Sequence, residues 1–327
     1  MDSCRDADVV VVGVDPGDTT GELLEARGAV VPRISLPQFR FDHYRNEVLK
    51  HVPADIDVCV SLDLDEVLEP GWRAKLESDW TPDTTRLHYK LQWDADEERT
   101  FHYDRIHARH GYEWRHANHE AVYSLYPHEE KPTQSDLRVI QHQDPTKDRS
   151  KNLPLLKLAA DEEPDNPRMM WYLGREYLME EDWQNCIVTF RKYMAMRSTW
   201  NAEVAWACIF TANAYHQMGI SIEVEAWLHM GIRWAPDLRD PYVELAQHYI
   251  DNEEWHLAMY ELKQALKIDR DIHSFFHDNG AYGEKIYLKK GWVHRHLGEF
   301  EEAKVAYHKA LRINPQCEEA ESALDYL

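Results

Sequence analysis

Hydrophobic positions follow two different rhythms along this chain. In the first half they come as short runs rich in β-branched residues: Val9 to Val14, Ala29 to Val31 and Ile56 to Leu62. Runs of this length between turn formers predict buried strands. Between the first two lie the turn formers Asp15-Pro16-Gly17-Asp18-Thr19-Thr20-Gly21 and a predicted helix from Gly21 to Arg27, which Gly28 would stop. Thr19 and Glu22 have the spacing of a capping box. Strand, loop, helix and strand predict a βαβ unit, with its loop at the edge where open α/β sheets bind ligands. A further helix is predicted from Asp42, as its cap, to Val52, with Tyr44, Val48, Leu49 and Val52 on one face. Arg45 falls in its first turn, where a cation opposes the helix dipole unless an anion such as a phosphate lies nearby.

After Asp161-Glu162-Glu163-Pro164-Asp165-Asn166-Pro167 the rhythm becomes helical and repeats itself. Leu173-Gly174, Tyr177, Trp183, Cys186, Phe190 and Tyr193 set a spacing that returns at Ala246, Tyr249, Trp255, Ala258, Leu262 and Ala265. It returns again, most clearly, at Gly291, Phe300, Ala303, Tyr307, Ala310 and Pro315. A fainter copy runs from Ala205 to Pro236 through Ala214, Ala226 and Met230. These are tetratricopeptide-like spacings: small residues let paired helices approach and aromatic residues fill the gaps. Such pairs bury their faces only on their neighbours and stack into a superhelix with a concave groove. Trp171, Trp206 and Trp227 fall at core positions. The stretch from Asp271 to Gly283 interrupts the period; His273, His277 and Asp278 within it are a remote candidate metal site.

A length of 327 residues fits two domains, an α/β domain over residues 1–150 and an all-α repeat domain over 151–327. The net charge of −22 argues against a nucleic-acid partner. The unbroken apolar runs, Val9 to Val12 among them, are too short to span a bilayer, and no leader pattern opens the chain, so a cytoplasmic protein is expected. The scattered cysteines Cys4, Cys59, Cys186, Cys208 and Cys317 predict small core residues in a reducing compartment.

The candidate chemistry centres on Ser61-Leu62-Asp63-Leu64-Asp65-Glu66, three carboxylates at the end of a predicted strand. Asp63 and Asp65 suit a hard divalent cation that takes further ligands from water and a substrate phosphate. The plainer alternative is a polar strand end that caps the next helix.

Residues 9 to 160 resemble family 2 glycosyltransferases that carry tetratricopeptide repeats behind the catalytic domain. The family's Asp-Thr-Gly-Ser-x-Asp-Gly-Thr loop resembles Asp15 to Gly21, its Phe-x-x-Ala-Arg-Asn helix start resembles Phe41 to Asn46, and its Leu-Asp-Ala-Asp-Glu-x-Leu resembles Leu62 to Leu68. Its arginine-bearing strand and Val-His-Glu resemble Arg105 to Arg109 and Asn118-His119-Glu120, and its closing His-x-Gly resembles the segment from Ile140 to Gln143.

The resemblance implies a nucleotide-diphospho-sugar transferase (GT-A) fold and an inverting, Mn²⁺- or Mg²⁺-dependent transfer from a nucleotide-diphospho-sugar, most often a UDP-sugar. It implies Asp15 at the base, Arg45 near the diphosphate, Asp63 at the ribose or metal and Asp65 on the metal. His119 and His142 would touch the metal or the leaving diphosphate. Glu120 would be the general base, or would instead orient His119. A protein or peptide acceptor at the repeats, and a bacterial or phage origin, would fit. The family also has a strand and helix before the counterpart of Val9 to Val14; this sequence starts after them. An upstream start, a strand from another chain or a degenerate relative would each account for that, and an open sheet edge would favour self-association. The alternative function is a catalytically inactive transferase-like domain serving as a protein-binding scaffold through its repeats.

Overall fold

The computed structural model describes residues 1–327 except 94–99, 143, 145, 147–148, 197–198 and 269–278. The candidate residues His273, His277 and Asp278, and Gln143, lie outside the described residues. The chain divides into two compact units, Met1–Asp161 and Glu162–Leu327.

In the first unit the order is α1 (Thr20–Glu25), α2 (Phe41–Lys50), β1 (Val58–Val60), β2 (Glu66–Leu68), α3 (Trp72–Asp79), β3 (Arg86–Trp93), β4 (Thr100–Ala108), β5 (Tyr112–Arg115), β6 (Ala121–Ser124), β7 (Pro132–Gln141) and α4 (Asn152–Glu162). Five strands form a mixed sheet, β1-β4-β3-β7-β2, and β5 pairs with β6 in a separate ribbon. Only β3 and β7 run parallel within the larger sheet. Strand alternation puts Leu87, Tyr89 and Leu91 of β3 beside Leu137 and Val139 of β7 on one face, where Trp72 and Leu76 of α3 cover them. The predicted βαβ unit is present in reduced form: Val11 bridges Val30 and Val14 bridges Arg33, both parallel.

Two predicted caps are corrected. Thr19 makes no side-chain cap on α1; the Asp18 carboxylate accepts the Thr20 N–H instead. Asp42 lies inside α2, whose cap position is Arg40, because Arg40 holds the buried Asp42 carboxylate through Nε and Nη2 at 2.7 and 2.8 Å.

The second unit is helical: α5 (Pro167–Met179), α6 (Trp183–Met194), α7 (Asn201–Gln217), α8 (Ser221–Trp234), α9 (Asp240–Asp251), α10 (Trp255–Ala265), α11 (Asn279–Tyr282), α12 (Lys285–His296), α13 (Phe300–Ile313) and α14 (Glu318–Asp325). The repeat is physical as well as numerical. Gly174 of α5 lies against the Phe190 ring of α6, and Gly291 of α12 against the Tyr307 ring of α13. An added Cβ would stand 2.8 Å from the first ring and 2.6 Å from the second. Trp171 and Trp227 are buried as expected, and Trp206 packs partly buried against the same core.

The first helix of each pair ends alike. One left-handed residue, Glu181, Gly219, Glu253 or Gly298, reverses the chain. The next amide then donates to a carbonyl five residues back: Asp182 to Tyr177, Ile220 to Tyr215, Glu254 to Tyr249 and Glu299 to His294. That is the helix-ending bond pattern glycine favours. Glutamate holds φ of 57° and 60° at positions 181 and 253, against a side-chain penalty. Glu181→Gly and Glu253→Gly are each expected to stabilise the repeats by about 0.5–1 kcal/mol. Urea denaturation followed by circular dichroism checks this; a lowered midpoint in both contradicts it.

Candidate functional site

In the first unit, one cluster of charged residues meets beside Trp114. Asn46 fixes α2 to β5: its side chain donates to the Trp114 carbonyl at 2.8 Å and accepts the Trp114 N–H at 2.9 Å. The Phe41 N–H donates to the Ala117 carbonyl. So anchored, α2 points Arg45 at two carboxylates. Its Nε donates to Glu120 at 2.6 Å and its Nη2 donates to Asp63 Oδ1. Arg105 on β4 donates to Asp63 Oδ2 at 2.8 Å and stands 3.6 Å from Glu66. Arg45 lies 4.5 Å and Arg105 5.9 Å from the centre of the Trp114 ring. Arg45 is the fifth residue of α2, past the first turn in which it was expected, because the helix starts at Phe41; the anion beside it is supplied by the chain itself.

The two guanidiniums hold the Asp63 carboxyl down at about 2, against the cost of its burial. Burial, and then the Asp63 charge, push Glu66 up to about 7. Glu66 is 1 % exposed at its side chain and accepts the Asp63 N–H at 2.8 Å. The signs follow from linkage. Asp63 adds stability above its unfolded pKa, which is lost as pH falls from about 3.8 to about 2. Glu66 is raised when folded, so it subtracts stability as pH climbs from about 4.5 to about 7. Glu66→Gln is expected to raise the thermal midpoint at pH 8 and leave it nearly unchanged at pH 4; equal shifts at both would contradict this reading.

The other residues named from sequence fall in three places. Asp65 and His142 share a corner: the His142 N–H donates to the Asp65 carbonyl at 2.7 Å, and Gln141 donates to Asp65 Oδ2 at 3.3 Å. His119 is exposed beside Glu120, in the left-handed region at φ 50°, its N–H donating to Asn118 Oδ1. Asp15 is exposed in the loop before α1; burial, and after it the Asp15 charge, raises the Tyr44 phenol. The structure thus joins Arg45, Asp63 and Glu120 and sets Asp65 with His142. Arg105, Glu66 and Trp114 complete the cluster. No spacing rule points to Trp114, while Glu66 was visible only as the third acid of its run.

A divalent cation fits part of this set. Asp65 Oδ1 is buried without a hydrogen-bond partner, the kind of oxygen a hard cation takes. Both Asp63 oxygens are already held by arginine. Among the described residues no three His, Cys, Asp or Glu side chains converge to hold a metal by themselves. A cation at Asp65 would need water or ligand oxygens as well.

The second unit presents a different feature. A shallow cavity of about 150 Å³ opens between α7, α8 and α9. Ile209, Ala212, Val224 and Leu228 form its apolar part, and Asn213, His216, Glu244, Gln247 and Asp251 its polar lining. Lys289 of α12 donates to Gln247, carrying the polar surface towards the next helix pair.

A family profile described as "Tetratricopeptide repeat" matches residues 284–317, which cover α12 and α13. This C-terminal helix pair is a tetratricopeptide repeat. Among solved structures, the chain is similar to MamA, at 18 % identity and a TM-score of 0.41, over 50 % of this chain and 87 % of that one. It is similar to YrrB, described as a TPR protein with an unusual peptide-binding site, at 12 % identity and a TM-score of 0.41, over 54 % of this chain and 83 % of that one. It is also similar to the first TPR of Spaghetti (RPAP3) bound to an HSP90 peptide, at 21 % identity and a TM-score of 0.33, over 38 % of this chain and 93 % of that one. No curated protein matches the chain. No described helix is long and apolar enough to cross a membrane. Cys59, Cys186, Cys208 and Cys317 are buried and Cys4 partly so, all as free thiols.

Proposed function

We propose that this chain is a protein-binding repeat scaffold, with the cavity between α7, α8 and α9 as a docking point for an extended peptide segment. The observation that carries the reading is that cavity: an apolar part beside the amides of Asn213 and Gln247, of which Gln247 already donates to Asp251 and accepts from Lys289, so that a peptide backbone would meet Asn213 and the remaining bonding capacity of Gln247. Stacked helix pairs form extended concave surfaces of this kind. The test is binding of short labelled peptides from a mixed-sequence array to the purified chain and to an Asn213→Ala/Gln247→Ala variant. Binding that the variant loses supports the reading; binding that the variant keeps refutes the cavity.

A second reading is favoured by one observation, the meeting of Arg45, Asp63 and Glu120 from three separated segments. This meeting would suit a transfer enzyme: a nucleotide-diphospho-sugar at the first unit, a cation at Asp65 and His142, and Glu120 as base. In this reading His119 lines the leaving diphosphate and Asp15 contacts the base of the nucleotide. The cation would offset charge as the sugar–phosphate bond breaks. Calorimetric titration with UDP-, GDP- and dTDP-sugars, with and without Mn²⁺, tests it. Metal-dependent binding of one of them supports the enzyme; no binding by a folded chain leaves the scaffold alone.

A further inference from the structure

The cavity between α7, α8 and α9 measures about 150 Å³. Sites for small molecules run to roughly 300–1,000 Å³, so this one has room for a single side chain of a larger partner. Its lining holds two carboxylates, Glu244 and Asp251, and no lysine or arginine. Asp251 accepts the Gln247 amide through Oδ1 at 2.7 Å, a neutral donor that leaves its charge in place. His248 in the same wall is 8 % exposed, and burial lowers its pKa against the pull of Glu225, Asp251 and Glu254, so its ring is uncharged at neutral pH. Lys289 comes nearest from α12, but its ammonium donates to Gln247.

The carboxylates share this space with the apolar side chains of Val224 and Leu228. Lysine and arginine have the same division, an aliphatic stem below a charged head. An acidic side chain would be repelled here, and a wholly apolar one would strip water from Asp251 and return no hydrogen bond. The net charge of −22 draws a basic segment to the chain from a distance.

We propose that this cavity receives the side chain of a lysine or arginine, and hence that the segment docked on the repeats is a basic peptide. The proposal rests on the scaffold reading and names the chemistry of its partner. The stem lies on Val224 and Leu228, the head meets Asp251, and Glu244 adds a second negative charge at the rim.

The experiment is fluorescence anisotropy of the full chain at pH 8 with labelled mixed-sequence peptides that differ only in a central Arg, Gln or Glu. The Arg peptides are expected to bind about tenfold more tightly than the Gln peptides, the range of a hydrogen bond to a charged group. Added salt should narrow that difference, and Asp251→Asn should remove most of it. Glu244→Gln should narrow it less, and it decides the matter alone if Asp251→Asn fails to fold by circular dichroism. An Arg preference that both variants keep in full overturns the proposal. Equal binding of the three peptides, or preference for Glu, overturns it too, but leaves the scaffold reading standing where Asn213→Ala/Gln247→Ala abolishes that binding. No binding of any peptide overturns both.

Discussion

Trp171→Ala is expected to cost about 3–5 kcal/mol, because the buried indole packs against rings of both following helices. Trp171 is 2 % exposed. Its ring centre lies 5.5 Å from Phe190, 5.4 Å from Tyr193 and 5.8 Å from Phe210, so three rings on α6 and α7 lose their common neighbour. None of them can collapse into the space without leaving the others, so the cavity persists. Helix pairs in a stacked array hold mainly to their neighbours, so the damage should stay local. Hydrogen exchange should therefore show α5 and α6 opening first while α12 and α13 keep their protection. A uniform loss of protection along the array would contradict this. Trp234→Ala, at a 40 % exposed ring, is the control and should change stability by less than about 0.5 kcal/mol.

Arg105→Met is expected to cost about 3–5 kcal/mol at pH 8, the range for leaving buried charge without its partner. Arg105 donates to Asp63 and stands 3.6 Å from Glu66. Its removal leaves Asp63 with Arg45 alone and Glu66 with no arginine as near. Lowering the pH lets these carboxyls take up protons, so the loss should shrink on going from pH 8 to pH 5. Thermal denaturation of wild type and variant at the two pH values measures it. A penalty independent of pH would mean that Arg105 acts through packing on Trp114 and Tyr103 rather than through charge.

How much of this was readable in the sequence differs between the units. The helix pairs were legible because one spacing sets both the period and the contact. Gly174 and Phe190 meet, as do Gly291 and Tyr307, at the same separation along the chain. The copy from Ala205 to Pro236 was faint because α7 is buried on several sides. Ala205, Ala207, Cys208, Ile209, Thr211 and Ala212 are all inside, so no polar stripe marks a face.

In the first unit the short runs at Val9 to Val14 and Ala29 to Val31 did meet in parallel, but through only two bridges. The cap at Asp42 was misread because sequence shows the acid and not the Arg40 side chain that folds back on it. The candidate residues were visible as types in order along the chain. Their partnership was not, since Arg45, Asp63, Arg105 and Glu120 come from four segments that only the sheet and the Asn46 anchor bring together.

Peptide binding at the cavity between α7, α8 and α9 tests the central claim most directly. The measurement is fluorescence anisotropy of the strongest array peptide against the wild-type chain, the Asn213→Ala/Gln247→Ala variant and an exposed-surface control, Glu301→Gln/Glu302→Gln on α13. The account predicts saturable binding to wild type and control and its loss in the cavity variant. No saturable binding to the folded wild-type chain, or equal binding by all three, would contradict it.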